Sequence, residues 1–105
     1  MQQELANNRA ISDLYLISAL VSYGLRPLRV DRTNPRRQKF IFDNDKEISV
    51  YVFSDDVLMP KSMVVEEIET YFLSDRLYFP GNYTKTLREI RANIHGYRED
   101  LNYDN

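Results

Sequence analysis

The sequence predicts an α+β fold, a small antiparallel sheet of three to four strands with three helices in the order α-β-β-β-α-β-α. Three observations carry this expectation. Apolar residues recur at helical spacing in three stretches, near 14–23, 64–72 and 83–94. Between the first two, the period drops to an alternation of two in LRPLRVDR, QKFIFD and ISVYVF. Turn-forming clusters, TNPRR and NDKE, separate those runs. Strands adjacent in sequence pair most simply as an antiparallel sheet, with helices on one face and the other face partly wet.

Each element has its own justification. Met1 to Ala10 is polar and is expected to fray. Ser12 is placed as the N-cap of the first helix, with Asp13 favourably near its positive end. In SDLYLISALVSYG, Leu14, Ile17 and Val21 lie along one side and Leu16, Leu20 and Tyr23 along another, so this helix must be covered on more than one side. Gly24 suits the left-handed position that ends it. In the hairpin that follows, Leu28, Val30, Phe40 and Phe42 are assigned to the core, and Arg29, Asp31, Arg37, Lys39 and Ile41 to the other side. Pro27 places the first of these strands at a sheet edge.

NDKE reads as a turn into ISVYVF, a third strand, and SDDVLMPK as a connection. From about Ser62 a second helix buries Val64, Val65, Ile68, Tyr71 and Phe72 and leaves Glu66, Glu67 and Glu69 wet. RLYF is a short extended piece, and Pro80 opens the last helix. That helix carries Tyr83, Leu87, Ile90 and Ile94 on one stripe and stops at Gly96. Residues 97–105 follow as a flexible tail. The whole, 1–105, is expected to form a single domain, since 105 residues suffice for one core without staples.

Composition narrows the chemistry. Cysteine is absent, which removes disulfides and thiolate metal sites and agrees with a reducing, cytoplasmic setting. No segment approaches the ~20 apolar residues of a membrane span. MQQELANNR has no basic flank leading into an apolar run, so no secretory signal is expected. His95 is the only histidine, and any Ser–His pair would depend on it; an exposed histidine at a helix end explains it as well. DNDKE spaces acids like the start of a calcium loop, but Ile48 stands where the loop needs glycine and Ser54 where it needs glutamate. A carboxylate metal site would require Asp43, Asp45, Asp55 or Asp56 to converge. Three scattered glycines, 24, 81 and 96, exclude a glycine-rich phosphate loop. The expectation is a protein that is not an enzyme and uses no cofactor and no metal.

Charge is segregated. Arg26 to Phe40 holds six basic residues and one acid, leaving eight basic and fifteen acidic residues on the other 90. The six cations, Arg26, Arg29, Arg32, Arg36, Arg37 and Lys39, are the candidate partner surface. Arg29, Arg37 and Lys39 are expected to share one outward face. A β-ribbon of this kind could enter a nucleic-acid groove, but the interleaved aromatics of single-strand binders are missing from that face.

SDLYLISALVSYGLRPLRVDR, the later FIF, and VVEEIETYFLSDRLYFPGNYTKTLREIRANI together resemble a family of small phage and prophage proteins catalogued as a domain of unknown function. The likeness runs over roughly 12–96, through Ser12, Asp13, Leu14, Tyr15 and Leu16, Gly24, Phe40, Phe42 and Pro80. It departs in Asn44 to Lys61, which is longer here and holds the extra strand ISVYVF. The resemblance supplies no catalytic residues. It implies a phage-type accessory protein that binds a host or viral protein, as an inhibitor or modulator of a host defence or transcription factor. The alternative is a nucleic-acid-binding regulator using the basic hairpin.

Overall fold

The computed structural model describes residues 7–103, with side chains described for 7–96. The fold is α+β, with three α-helices and two antiparallel sheets. In order they are β1 (Asn8–Ile11), α1 (Leu14–Ser22), β2 (Arg29–Asp31), a 3₁₀ turn (Pro35–Arg37), β3 (Lys39–Asp43), β4 (Ile48–Ser54), β5 (Val57–Met63), α2 (Val65–Leu73) and α3 (Tyr83–Tyr103). The first sheet has the order β1-β3-β2, and the second is the β4–β5 hairpin. One core joins them: Ile11 of β1, Leu16, Ile17, Ala19 and Leu20 of α1, Phe40 and Phe42 of β3, Val50 and Val52 of β4, and Val65 and Ile68 of α2.

In α1 the five consecutive residues Leu16–Leu20 are all buried, so the helix is covered all round. Its cap is Asp13, not Ser12. The Asp13 carboxylate accepts from the amides of Tyr15 and Leu16, at 2.8 and 3.2 Å, and its charge suits the positive end of the helix. Gly24, at φ +99°, ends α1 as expected. Two bonds close a Schellman motif there, from the Leu25 amide to the Leu20 carbonyl and from the Gly24 amide to the Val21 carbonyl.

β2 is an edge strand that begins two residues after Pro27. Phe40 and Phe42 are buried as predicted. Leu28 is not: it is 58% exposed, because β2 is only three residues long and Leu28 lies before its start. Ile41, on the opposite face, is buried. β1 was expected to be frayed chain. Arg9 and Ala10 lie instead in a strand, Ala10 opposite Ile41, and the Arg9 guanidinium reaches Glu69 of α2 at 2.7 Å. Residues 1–6 lie outside the described ones.

The segment expected to be a connection, SDDVLMPK, is the second half of a hairpin. Asp55 (φ 51°) and Asp56 (φ 67°) both take positive φ, the signature of a two-residue type I′ turn. In such a hairpin Ser54 and Val57 form the hydrogen-bonded pair, so Tyr51 and Phe53 direct their backbone groups away from β5. There they meet residues 76–78, the predicted RLYF stub. The Phe53 amide donates to the Arg76 carbonyl (2.8 Å), and the Tyr78 amide donates to the Tyr51 carbonyl (2.9 Å). By the same alternation Pro60, opposite Tyr51, points its missing N–H at the free edge of β5.

α2 starts at Val65, and its N-cap position holds Val64, a side chain with no acceptor. Two other groups serve. Glu67 Oε1 accepts from the Val64 amide (3.2 Å), and the buried Asn44, in the β3–β4 turn, accepts from the Glu66 amide (2.9 Å). Within the turn itself Asp43 accepts from the Asp45 amide (2.9 Å). Pro80 lies before α3 rather than in its first turn, accepting from the Tyr83 amide. α3 does not stop at Gly96 but runs to Tyr103, because Gly96 keeps ordinary φ there. Residues 104 and 105 of the expected tail lie outside the described ones.

Candidate binding surfaces

The 3₁₀ turn decides where the six cations go. Asn34 accepts from the Arg36 amide with its side chain (3.1 Å) and from the Arg37 amide with its carbonyl (2.9 Å). Of the three residues expected to share one outward face, Arg29 and Lys39 lie on the β2–β3 sheet, and Arg37 ends the 3₁₀ turn.

The cations divide into four groups. Arg29 and Lys39 share a sheet face with Asp31, which stands opposite Lys39. The Thr33 hydroxyl and amide hold the Asp31 carboxyl below the ordinary range, helped by the charges of Arg29 and Lys39. Arg32 is a structural clamp: it donates to Gln38 Oε1 (2.8 Å) and to Asn93 Oδ1 on α3 (2.9 Å). Arg26 lines a shallow depression with Val21, Gly24, Pro27 and Ile90. Arg36 and Arg37 line a cleft of about 280 Å³ with Ser12, Leu14 and Gln38 on one side and Arg91, Ile94 and His95 of α3 on the other. His95 thus stands within a helix, not at its end. It shares the cleft with Ser12, but no hydrogen bond joins the two.

The carboxylates named as candidate metal ligands lie at opposite ends of β4, with Asp43 and Asp45 before it and Asp55 and Asp56 after it. Among the described residues no three His, Cys, Asp or Glu side chains are grouped to hold a metal ion. Among them, too, no helix is long and apolar enough to cross a membrane.

A second surface was missed. On the outer face of the β4–β5 hairpin, Tyr51 and Phe53 stand opposite Pro60 and Leu58, and Tyr78 lies beside them. Tyr51, Phe53, Leu58 and Tyr78 are 38–45% exposed, far more than aromatic and aliphatic side chains of a packed face. The Tyr78 ring meets Tyr51 and Phe53 edge-on, at 6.4 and 6.2 Å between centroids. On the same hairpin Val57 and Met59 are also exposed. The signal available was the alternation in ISVYVF, which puts Tyr51 and Phe53 together on the face opposite Val50 and Val52.

The hydroxyl of Tyr23, at the end of α1, holds this face against the helices. It accepts from the Tyr51 amide (3.2 Å) and donates to the Tyr78 carbonyl. Burial pushes the phenol above its ordinary value, against the backbone bond from Tyr51, which lowers it.

No protein-family model, curated protein or solved structure matches this chain significantly.

Proposed function

We propose that this is a non-catalytic accessory protein of a phage or mobile element, acting in the host cytoplasm by binding a host or viral protein through the outer face of the β4–β5 hairpin. The observation that carries the proposal is the cluster Tyr51, Phe53, Leu58 and Tyr78, aromatic and aliphatic, contiguous and exposed. Tyrosine and other aromatics are favoured anchors at protein interfaces, and apolar groups of this size gain free energy when a partner removes them from water. The partner meets a face rather than an edge, because Pro60 interrupts the donors along the free edge of β5. Arg29 and Lys39, on the other sheet, supply positive charge that steers an acidic partner surface. Modulation of a host defence or transcription factor is the role such a binder would serve. The division of the six cations favours this proposal over a nucleic-acid ribbon, which needs them along one face.

The test compares the wild-type chain with Phe53→Asp/Leu58→Asp in affinity capture with cross-linking from host lysate. A protein captured by the wild type and lost from a variant with unchanged circular dichroism is expected. The loss should correspond to about 2 kcal/mol or more, roughly 30-fold in affinity. Capture that survives the double substitution, stoichiometric nucleic acid in the eluate, or a homodimer that the substitution dissolves would each overturn it.

A further inference from the structure

We propose that the cleft between the 3₁₀ turn, the β1–α1 junction and the middle of α3 binds a small phosphomonoester of mononucleotide size. Its wall is built from donors. Arg36, Arg37 and Arg91 converge from two separate elements, with His95 one turn along α3 from Arg91 and the Ser12 hydroxyl opposite. Among the described residues no carboxylate lines it. Among the described residues neither the Arg37 nor the Arg91 guanidinium has a carboxylate within salt-bridge distance. Gln38, the other polar lining group, is already used: its carbonyl oxygen accepts from Arg32, and its amide donates to the Pro35 carbonyl. Guanidinium groups have donors and no acceptor, so Arg37 and Arg91 cannot satisfy one another, and their mutual repulsion is relieved by an oxyanion. The planar fork of arginine matches phosphate oxygens two at a time.

Position is set before any ligand arrives. Asn34 pins the turn that carries Arg36 and Arg37, and Arg32 ties Gln38 to Asn93 of α3, holding the two walls together. The volume, about 280 Å³, lies just below the usual range for small-molecule sites and is too small for a duplex. Leu14 and Ile94 give the cleft an apolar side against which the organic part of the ligand can lie. Neither the hairpin face nor its partner enters this inference.

The experiment is calorimetric titration of the full chain with adenosine 5′-monophosphate, inorganic phosphate, adenosine and an unphosphorylated single-stranded oligonucleotide. The monophosphate is expected to bind saturably and raise the melting temperature, inorganic phosphate to bind the same residues more weakly, and adenosine not to bind. Arg37→Glu and Arg91→Glu should each weaken the monophosphate about tenfold or more, and Arg91→Gln, which keeps the fold without adding charge, should do so as well. Arg29→Glu and Phe53→Asp should leave it unchanged. Absence of saturable monophosphate binding, equal binding of adenosine, indifference to both Arg91 substitutions, or tighter binding of the oligonucleotide would overturn the proposal.

Discussion

At Tyr23 a single hydroxyl closes the gap between α1 and the second sheet. It satisfies the Tyr51 amide and the Tyr78 carbonyl, two backbone groups on neighbouring chain segments. Tyr23→Phe keeps the ring but leaves the Tyr51 amide without its partner, and is expected to cost about 1 to 2 kcal/mol in chemical denaturation. Burial of the same hydroxyl, against the bond from Tyr51, sets a pH dependence. Because burial raises the phenol above 10.0, the folded state favours the neutral form. That contribution is complete below pH 10.0 and is lost as pH rises through the raised folded value, since the unfolded chain then ionises first. An alkaline series of melting temperatures should fall less steeply above pH 10.0 in Tyr23→Phe than in the wild type. Among the site residues the cations were countable in the sequence, but their grouping was not. Arg91 meets Arg37 only after α3 has packed beside the turn that Asn34 and Pro35 wind.

For the elements, the legible part was whatever local spacing determines. α1, α2 and α3 follow their apolar stripes, and β3 and β4 follow their alternation, so each is found close to where its residues predict it. β1 and β5 were missed for different reasons. Asn8–Ile11 has almost no apolar signal and is held by pairing with β3, about thirty residues along the chain. Val57–Met63 contains Pro60 and is exposed along nearly all its length, so it reads as loop until Asp55 and Asp56 are recognised as turn residues. Those aspartates occupy left-handed positions that Asn-Gly fills at lower cost. Asp55→Asn/Asp56→Gly should therefore stabilise the protein by about 1 kcal/mol or more in urea unfolding. Gly96 is a second correctable position. It sits within α3 without positive φ, and among the described residues a methyl group there would meet no atom of a neighbouring element within 4 Å. Gly96→Ala should add up to about 1 kcal/mol, seen as a raised denaturation midpoint.

Over the whole molecule, one hydrophobic core joins two sheets, and the two candidate surfaces follow from what each sheet leaves uncovered. The three-stranded sheet leaves Arg29, Asp31 and Lys39 at its surface; the hairpin leaves Tyr51, Phe53 and Leu58. If the proposed partner is acidic, its association rate with the wild-type chain should fall as salt rises, and Arg29→Glu/Lys39→Glu should flatten that dependence while changing dissociation little. Stopped-flow association at several ionic strengths would measure it. A dissociation rate altered as much as the association rate would mean that these cations lie inside the contact. Segregated charge was visible in the composition of 26–40, whereas the cleft joins residues 12, 14, 36–38, 91, 94 and 95 by tertiary packing that no spacing records.

The cap that Asn44 gives to α2 bears on the order of folding. The Glu66 amide gains its acceptor only when a turn 22 residues earlier is in place, so the first turn of α2 is incomplete while the chain is still assembling. Such a bond, with a loop to close before it can form, belongs late on the pathway. Asn44→Ala should accordingly accelerate unfolding and leave the refolding rate almost unchanged, a φ-value near zero, while lowering equilibrium stability by about 1 kcal/mol. A refolding limb slowed in proportion to the lost stability would instead place the β3–β4 turn and the start of α2 together in the folding nucleus.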